Sequence, residues 1–337
     1  MQPKLTVVVP SYNSQDFLHR CVDSLILAGD GIEILIVDDG SSDRTAAIAA
    51  DYCERYPAMI RAISQENAGH GGAINTGLAA ATGRYVKVVD SDDWVDPKAL
   101  ATVVARLDKL AAEDVDMVLS NFVYEKQGRN RRRAVRYRRA LPNGRVFGWP
   151  QVAKLPKTQY FLMHSIIYRT QLLRDIELEL PKHTFYVDNI FAFVPLSHVR
   201  RMYYIDVDLY RYFIGRDDQS VAEHVMLRRL DQQLRVNRIM LAHIAHEVPP
   251  THAAYRYMAH YLEIVSAVTT ALLLRAGTSE ALAAKAGWWQ EIRETDELLY
   301  RRMRRGALGQ LLNLPGQPGR RITMAAYRAA QWAVGFN

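Results

Sequence analysis

The sequence predicts an α/β fold, a mostly parallel sheet covered by helices on both faces, followed by a helical C-terminal region. Three observations carry this expectation. Within residues 1–120, short β-branched runs alternate with stretches whose apolar positions recur at helical spacing, the pattern of strands joined by crossover helices. The runs are followed in order by SYN, DDGSSD, NAGHGG and DSDD, polar or Gly-rich turns of the kind found at the carboxyl ends of parallel strands, where ligands bind. Beyond about Val221 the periodicity is helical.

Leu5–Val9 reads as a strand ended by Pro10, and from Ser14, a candidate cap, the residues Phe17, Leu18, Cys21, Val22, Leu25 and Ile26 mark a helix. Ile32–Val37 is a second strand. After Asp38-Asp39-Gly40-Ser41-Ser42-Asp43, in which Asp38 or Asp43 suits a helix cap, a helix runs to about Tyr56. Strands near Met59–Ile63 and Tyr85–Val89 bracket a Gly-rich turn and a short Ala-rich helix; Pro97 opens another helix, and Met117–Val123 is a strand. Residues 160–215 are mixed, with apolar runs at Phe161–Tyr168 and Met202–Tyr212 around the aromatic segment HTFYVDNIFAF. Helices follow near 222–247, 251–275, 280–304 and 321–335, the last set apart by Leu314-Pro315-Gly316-Gln317-Pro318. The domains expected are 1–221, with halves at 1–124 and 125–221, and a helical domain at 222–337.

At 337 residues, 49% hydrophobic and 23% charged, the chain has ample material for a core, which excludes disorder and fibrous repeats. Its net charge of +7 hides an asymmetry, since residues 1–120 hold 10 Lys and Arg against 18 Asp and Glu, leaving 33 against 18 in the rest. The two cysteines, Cys21 and Cys53, have neither disulfide-framework nor zinc-ligand spacing, as in a reducing compartment. The opening MQPKLTVVVPSYN is too short in apolar residues for a signal-peptide core, so a cytoplasmic location is expected. The longest uncharged apolar stretch, Ile264 to Leu274, falls short of the roughly 18 residues of a membrane span, leaving peripheral contact at the inner face of a membrane.

Asp90-Ser91-Asp92-Asp93 places carboxylates one residue apart after a strand, an arrangement that can bind a hard divalent cation through oxygen; an acidic turn capping the helix at Pro97 explains the same residues. Lys126 to Arg145 holds nine basic residues and no acidic one, either a solvated basic hairpin or a site for an anionic ligand. Its aromatic interleaving is Tyr137 alone, short of a nucleic-acid stacking platform, so no nucleic-acid partner is expected. His164, in LMHSII, is a lone histidine in an apolar run, the setting of a satisfied core residue. Arg301, Arg302, Arg304 and Arg305 cluster, and Arg320 and Arg321 precede a last helix with Ile322, Met324, Trp332 and Phe336. That helix suits a membrane interface, packing onto the helical domain or a homo-oligomer contact.

Taken together, VVVPSYNSQDFLHRCVDSL, EILIVDDGSSDRT and ENAGHGGAINTGLAAATGRYVKVVDSDD resemble the inverting family 2 glycosyltransferases, of the bacterial cell-surface polysaccharide type, in order and spacing. The resemblance covers residues 4–124 strongly and 160–221 more loosely. It implies a GT-A fold holding a nucleotide-diphosphate sugar and a divalent metal, Mg or Mn. It places Pro10 and Tyr12 at the nucleobase, Asp39 at a pyrimidine imino group as an acceptor, and Asn67, Asp90 and Ser91 beside the nucleotide. Asp92 is the expected direct metal ligand, with Asp90 near the ribose or the metal and Asp93 in support. The expected base is Asp188, in Tyr186-Val187-Asp188-Asn189, where Val stands in place of the usual Glu; a helix cap is its other reading. Where many relatives have Ala-Arg-Asn, this chain has Ala73-Ile74-Asn75, so the positive group for the diphosphate must come from elsewhere. Arg211 and Arg216 are candidates to supply it, with Ser220 as a hydrogen-bond donor, or else surface residues of a strand and turn. The resemblance also puts His164 where acceptor-side residues often occur, beside its reading as a core histidine.

The function so implied is transfer, with inversion, of a sugar from a nucleotide-diphosphate donor, a UDP-sugar foremost, to a hydroxyl of a glycan, cell-wall polymer or lipid-linked acceptor. The alternatives are a nucleotide-sugar-binding protein without turnover and a nucleotidyltransferase. The latter generally carries a Gly-rich basic loop where this chain has PSYNSQDF.

Overall fold

The computed structural model describes residues 2–128, 132–216 and 219–334, with side chains as far as residue 329. The chain divides into two compact units, Met1–Ile214 and Gly215–Asn337, so the boundary falls at Ile214 where the sequence suggested 221.

The first unit runs β1 (Leu5–Ser11), α1 (Leu18–Ile26), β2 (Ile32–Asp38), α2 (Thr45–Arg55), β3 (Ile60–Ser64), α3 (Gly69–Ala80), β4 (Tyr85–Val88), β5 (Trp94–Val95), α4 (Pro97–Ala112) and β6 (Met117–Lys126). It continues through β7 (Arg133–Val135), β8 (Val146–Phe147), β9 (Ile166–Arg169), α5 (Thr170–Asp175), α6 (Asp188–Phe193) and β10 (Met202–Ile214). Among the described residues the strands form one mixed sheet in the order β3-β2-β1-β4-β9-β6-β10-β5. β3, β2, β1 and β4 are mutually parallel, β9 runs antiparallel to both its neighbours, and β6 and β10 are parallel again. β1 and β2 are buried throughout, which is why their apolar residues run without alternation.

Local chemistry corrects two expectations. α1 begins at Leu18 without a side-chain cap; the Ser14 hydroxyl instead lies 2.7 Å from that of Ser91. The helix at Pro97 is capped by Asp96, whose carboxylate accepts from the Ala99 N–H at 3.0 Å, so the acidic quartet before it is not needed as a cap. In the basic stretch, Arg132 pairs with Glu125 at 3.0 Å and Arg136 grips Asp208 through two bonds of 3.0 and 2.6 Å, while 129–131 lie outside the described residues.

The second unit is helical: α7 (Glu223–Leu227), α8 (Leu230–Glu247), α9 (Tyr255–Ala276), α10 (Ser279–Thr295), α11 (Glu297–Arg305), α12 (Ala307–Leu312) and α13 (Gly316–Val334). The helix expected over 280–304 is broken at Asp296, whose extended backbone ends α10 while its side chain accepts from Leu299 N at 2.9 Å to start α11. α13 starts at Gly316 with Pro318 in its first turn, where a missing N–H is tolerated. Among the described residues α9 is long and apolar enough to cross a membrane, with a mean hydropathy of 1.3, yet 83% of that stretch is buried. The neighbouring helices of its own unit account for that burial. The Trp332 and Phe336 side chains lie outside the described residues.

Candidate active site

The carboxyl ends of β1, β2 and β4 bring the polar turns together. Pro10 is buried within β1, and beyond it the Tyr12 ring stands 55% exposed. Asp39, after β2, is buried and already holds three donors: the Gln65 amide at 2.7 Å and the Ala68 and Gly69 backbone N–H groups at 2.8 Å each. A carboxylate at the start of α3 satisfies otherwise orphaned N–H groups and complements the helix dipole. Asn67 is exposed and donates to the Asp39 carbonyl at 3.0 Å.

The Gly-rich segment that opens α3 makes room for another stretch of backbone. Gly69 has φ +75°, and a Cβ there would lie 2.9 Å from His183 N; a Cβ on Gly71 would lie 2.5 Å from the Pro181 carbonyl oxygen. Asn75 bonds both polar groups of Leu180, donating to its C=O at 2.8 Å and accepting from its N–H at 2.9 Å. His183 N donates to Ala68 O at 2.8 Å. Residues 180–183 are thereby fastened across the start of α3, and the chain leading on from them carries Asp188, the first residue of α6.

At the acidic turn, His70 Nε2 lies 2.8 Å from Asp90 Oδ1. Burial opposes the charge on His70, but the carboxylates of Asp90, Asp188 and Asp92 outweigh it and hold the imidazole above its ordinary pKa. Burial likewise opposes the charge of Asp90, which the rings of His70 and His164 and the Tyr210 hydroxyl hold below the usual carboxylate range. Asp93 is fully buried, accepting from Tyr210 OH at 2.6 Å and Phe213 N at 2.7 Å; burial and the charges of Asp92 and Asp90 push its carboxyl up. The Asp92 side chain is half-buried and its carbonyl accepts from Arg20 at 2.9 Å. Ser91 is buried against Ser14.

His164 packs against Tyr212, ring centroids 4.2 Å apart, and meets Tyr210 edge-on at 4.6 Å. Its Nε2 faces Asp90 and Asp93 at 4.0 and 3.9 Å, and both ring nitrogens are buried without a hydrogen-bond partner. Burial pushes the imidazole pKa down to about 4, so at neutral pH it offers a lone pair. Asp90, Asp93 and His164 present ligand atoms all within 4.8 Å of one another, and unpartnered imidazole nitrogens facing two carboxylates fit a divalent ion. This set differs from the expected one: Asp93 and His164 join Asp90 in it, and Asp92 does not. Beneath it Lys87, fully buried on β4, donates to the carbonyls of His164 at 2.7 Å and Ile166 at 3.3 Å. Burial brings its ammonium down to about 7, partly offset by Asp90.

Strand alternation separates the residues of β10. Tyr210 and Tyr212 face the acidic turn and His164, whereas Arg211 points to the other side, bonded to Asp96 at 3.1 Å and Glu125 at 3.2 Å. There it lines a cavity of about 460 Å³ with Arg20, Trp94 and Arg132, which the acidic turn does not reach. Arg216 and Ser220 belong to the second unit. Asp188 is half-buried; burial and the Asp90 charge raise its pKa to about 6 against the opposing pull of His70.

His70, Lys87 and Tyr210 are the site residues that sequence reasoning passed over. Period-two alternation in Met202–Ile214 carried the signal for Tyr210 over Arg211. His70 stands one turn before Ile74 on the same helix face, a spacing that could have drawn attention to it as a basic group.

Carboxylates, a perturbed acid and an open aromatic ring at the carboxyl ends of a nucleotide-binding type of sheet define a group-transferring α/β enzyme. The model of the family "Glycosyl transferase family 2" matches residues 6–176, and the chain belongs to that family. It is 32% identical over 248 residues to the uncharacterized glycosyltransferase EpsJ of Bacillus subtilis, covering 70% of this chain and 67% of EpsJ. The fold is shared with S. aureus TarS 1-349, crystallised with UDP-GlcNAc, at TM-score 0.67 and 19% identity over 97% of this chain and 92% of the other. It is also shared with the mannosyltransferase PcManGT of Pyrobaculum calidifontis, in complex with GDP-Man and Mn2+, at TM-score 0.54 and 18% identity over 99% and 88% of the two chains.

Proposed function

We propose that the first unit transfers a sugar, with inversion, from a nucleotide-diphosphate sugar, a UDP-sugar foremost, to a hydroxyl of a glycan, cell-wall polymer or lipid-linked acceptor. The observation that carries this reading is the single cluster formed by Asp188, His70 and the acidic turn, with Asp188 raised to about 6. A base that takes a proton from an acceptor hydroxyl works best when its pKa lies near the working pH. Asp188 fills that role as a carboxylate, receiving the proton as the hydroxyl oxygen attacks the anomeric carbon from the face opposite the leaving group.

On the donor side the exposed Tyr12 ring is a flat surface for a nucleobase, and the acceptor capacity that Asp39 retains beyond its three bonds suits an imino N–H. His70, held above its ordinary pKa beside the acidic turn, favours an anionic diphosphate. We place a divalent ion on Asp90, which is common to the Asp90/Asp92 pair of the sequence and to the converging Asp90, Asp93 and His164. A bound ion would stabilise the charge developing on the leaving nucleoside diphosphate. The complexes of TarS with UDP-GlcNAc and of PcManGT with GDP-Man and Mn2+ support the donor class and the metal.

The test is a donor screen by thermal shift with and without Mn2+, followed by assay of transfer and donor hydrolysis. A UDP- or GDP-sugar that raises the unfolding temperature and is turned over bears the reading out. Binding without turnover under any acceptor would leave a nucleotide-sugar-binding protein instead.

A further inference from the structure

We propose that the exposed faces of α11 and of α13 in the second unit dock on an anionic lipid membrane. Both helices lie beyond residues 6–176, the part matched by the family. From Leu298 to the C-terminus the sequence holds seven arginines and no Asp, Glu or Lys. This one-signed composition contrasts with α10, where Glu280, Glu291 and Glu294 alternate with Lys285 and Arg293.

On α11, Leu298, Arg301, Arg302 and Arg305 fall at i, i+3, i+4 and i+7 and therefore share a face, all of them exposed, while Leu299 and Met303 are buried on the other. Leu298 is 58% exposed. On α13, Arg321, Ile322, Ala325 and Arg328 line one exposed side, with Ile322 56% exposed, and Gly319 and Thr323 are buried opposite. The Thr323 hydroxyl anchors that buried side by donating to Leu311 O at 2.6 Å. Arg301 is tied to Glu297 at 2.8 Å, but Arg305, Arg321 and Arg328 meet no carboxylate among the described residues.

Charge and shape select the partner. Guanidinium groups bind phosphate in planar, two-pronged fashion, so arginines without acidic partners suit an anionic surface. The aliphatic side chains set among them decide which surface: a soluble polyanion makes no use of an exposed Leu298 or Ile322, whereas a bilayer buries them at the boundary of headgroups and acyl chains.

The full-length chain is tested by flotation with vesicles of phosphatidylcholine alone and of phosphatidylcholine with phosphatidylglycerol. Retention on the anionic vesicles, weak retention on the neutral ones and release at high salt are expected. The double variant Arg321→Glu/Arg328→Glu should lower the partition coefficient by at least about tenfold. Ile322→Gln, which leaves the vesicle–protein charge unchanged, should lower it several-fold; circular dichroism verifies that both variants keep their helices. Equal or no retention on the two vesicle types overturns the proposal. So does binding that Ile322→Gln leaves intact and that soluble heparin displaces, because that pattern describes a polyanion site.

Discussion

His70 Nε2 stands 2.8 Å from Asp90 Oδ1, and the same imidazole lowers the pKa of Asp188, so one residue from the Gly-rich turn is coupled to both the acidic turn and the expected base. Removing that ring acts on both sides. His70→Ala should reduce kcat/KM by about 10- to 100-fold, the loss of one charge-assisted hydrogen bond. It should also move the acid limb of the pH profile upward, since Asp188 loses a neighbour that favours its charged form. A limb that stays in place would detach His70 from the base.

As the proposed base, Asp188 would act in its carboxylate form. Activity should therefore rise with pH through about 6 and be lost below it as the group protonates. Asp188→Asn should lower kcat by about 10²- to 10⁴-fold while donor binding, read by calorimetry, stays within about threefold. An active Asn variant would move the base elsewhere.

Manganese titration followed by EPR distinguishes the two ligand sets that share Asp90. Asp90→Asn should weaken the ion in either case. If the converging group holds it, His164→Ala should weaken Mn2+ binding by about 10- to 100-fold and Asp92→Ala by much less; the reverse ranking would return the ion to the Asp90/Asp92 pair.

Lys87 is a buried amine whose donors serve two carbonyls. Lys87→Met fills the volume but strands both acceptors, and should destabilise the first unit by about 2–4 kcal/mol in urea unfolding. A change below about 0.5 kcal/mol would mean that those carbonyls find other partners.

Arg211→Ala should leave the donor KM within about threefold, because its guanidinium is held by Asp96 and Glu125 on the face of β10 away from Tyr210. A large rise in KM would show that the arginine swings to the donor side during turnover.

Much of this is legible in the sequence. The uninterrupted apolar runs of β1 and β2 announced parallel strands, and the turns that follow them, including Asp38-Asp39-Gly40 and Asp90-Ser91-Asp92-Asp93, announced the ligand-binding edge, because local propensity and periodicity suffice for both. The break at Asp296, inside the helix expected over 280–304, was less visible. Capping by a single side chain interrupts a helix without disturbing its apolar spacing.

The sequence by itself determined the α/β class, the family motifs and the residue types of the site. Only the tertiary structure decided which of them meet. Asp188 comes to His70 because Gly69 and Gly71 admit residues 180–183 across α3, a contact between segments more than 100 residues apart. His164 becomes a neighbour of the acidic turn, and Arg211 ceases to be one, through the pairing of β9 and β10 with β6 and the alternation along β10. Motif spacing encodes chemistry along the chain, whereas proximity across it is set by packing and register, which no single segment contains.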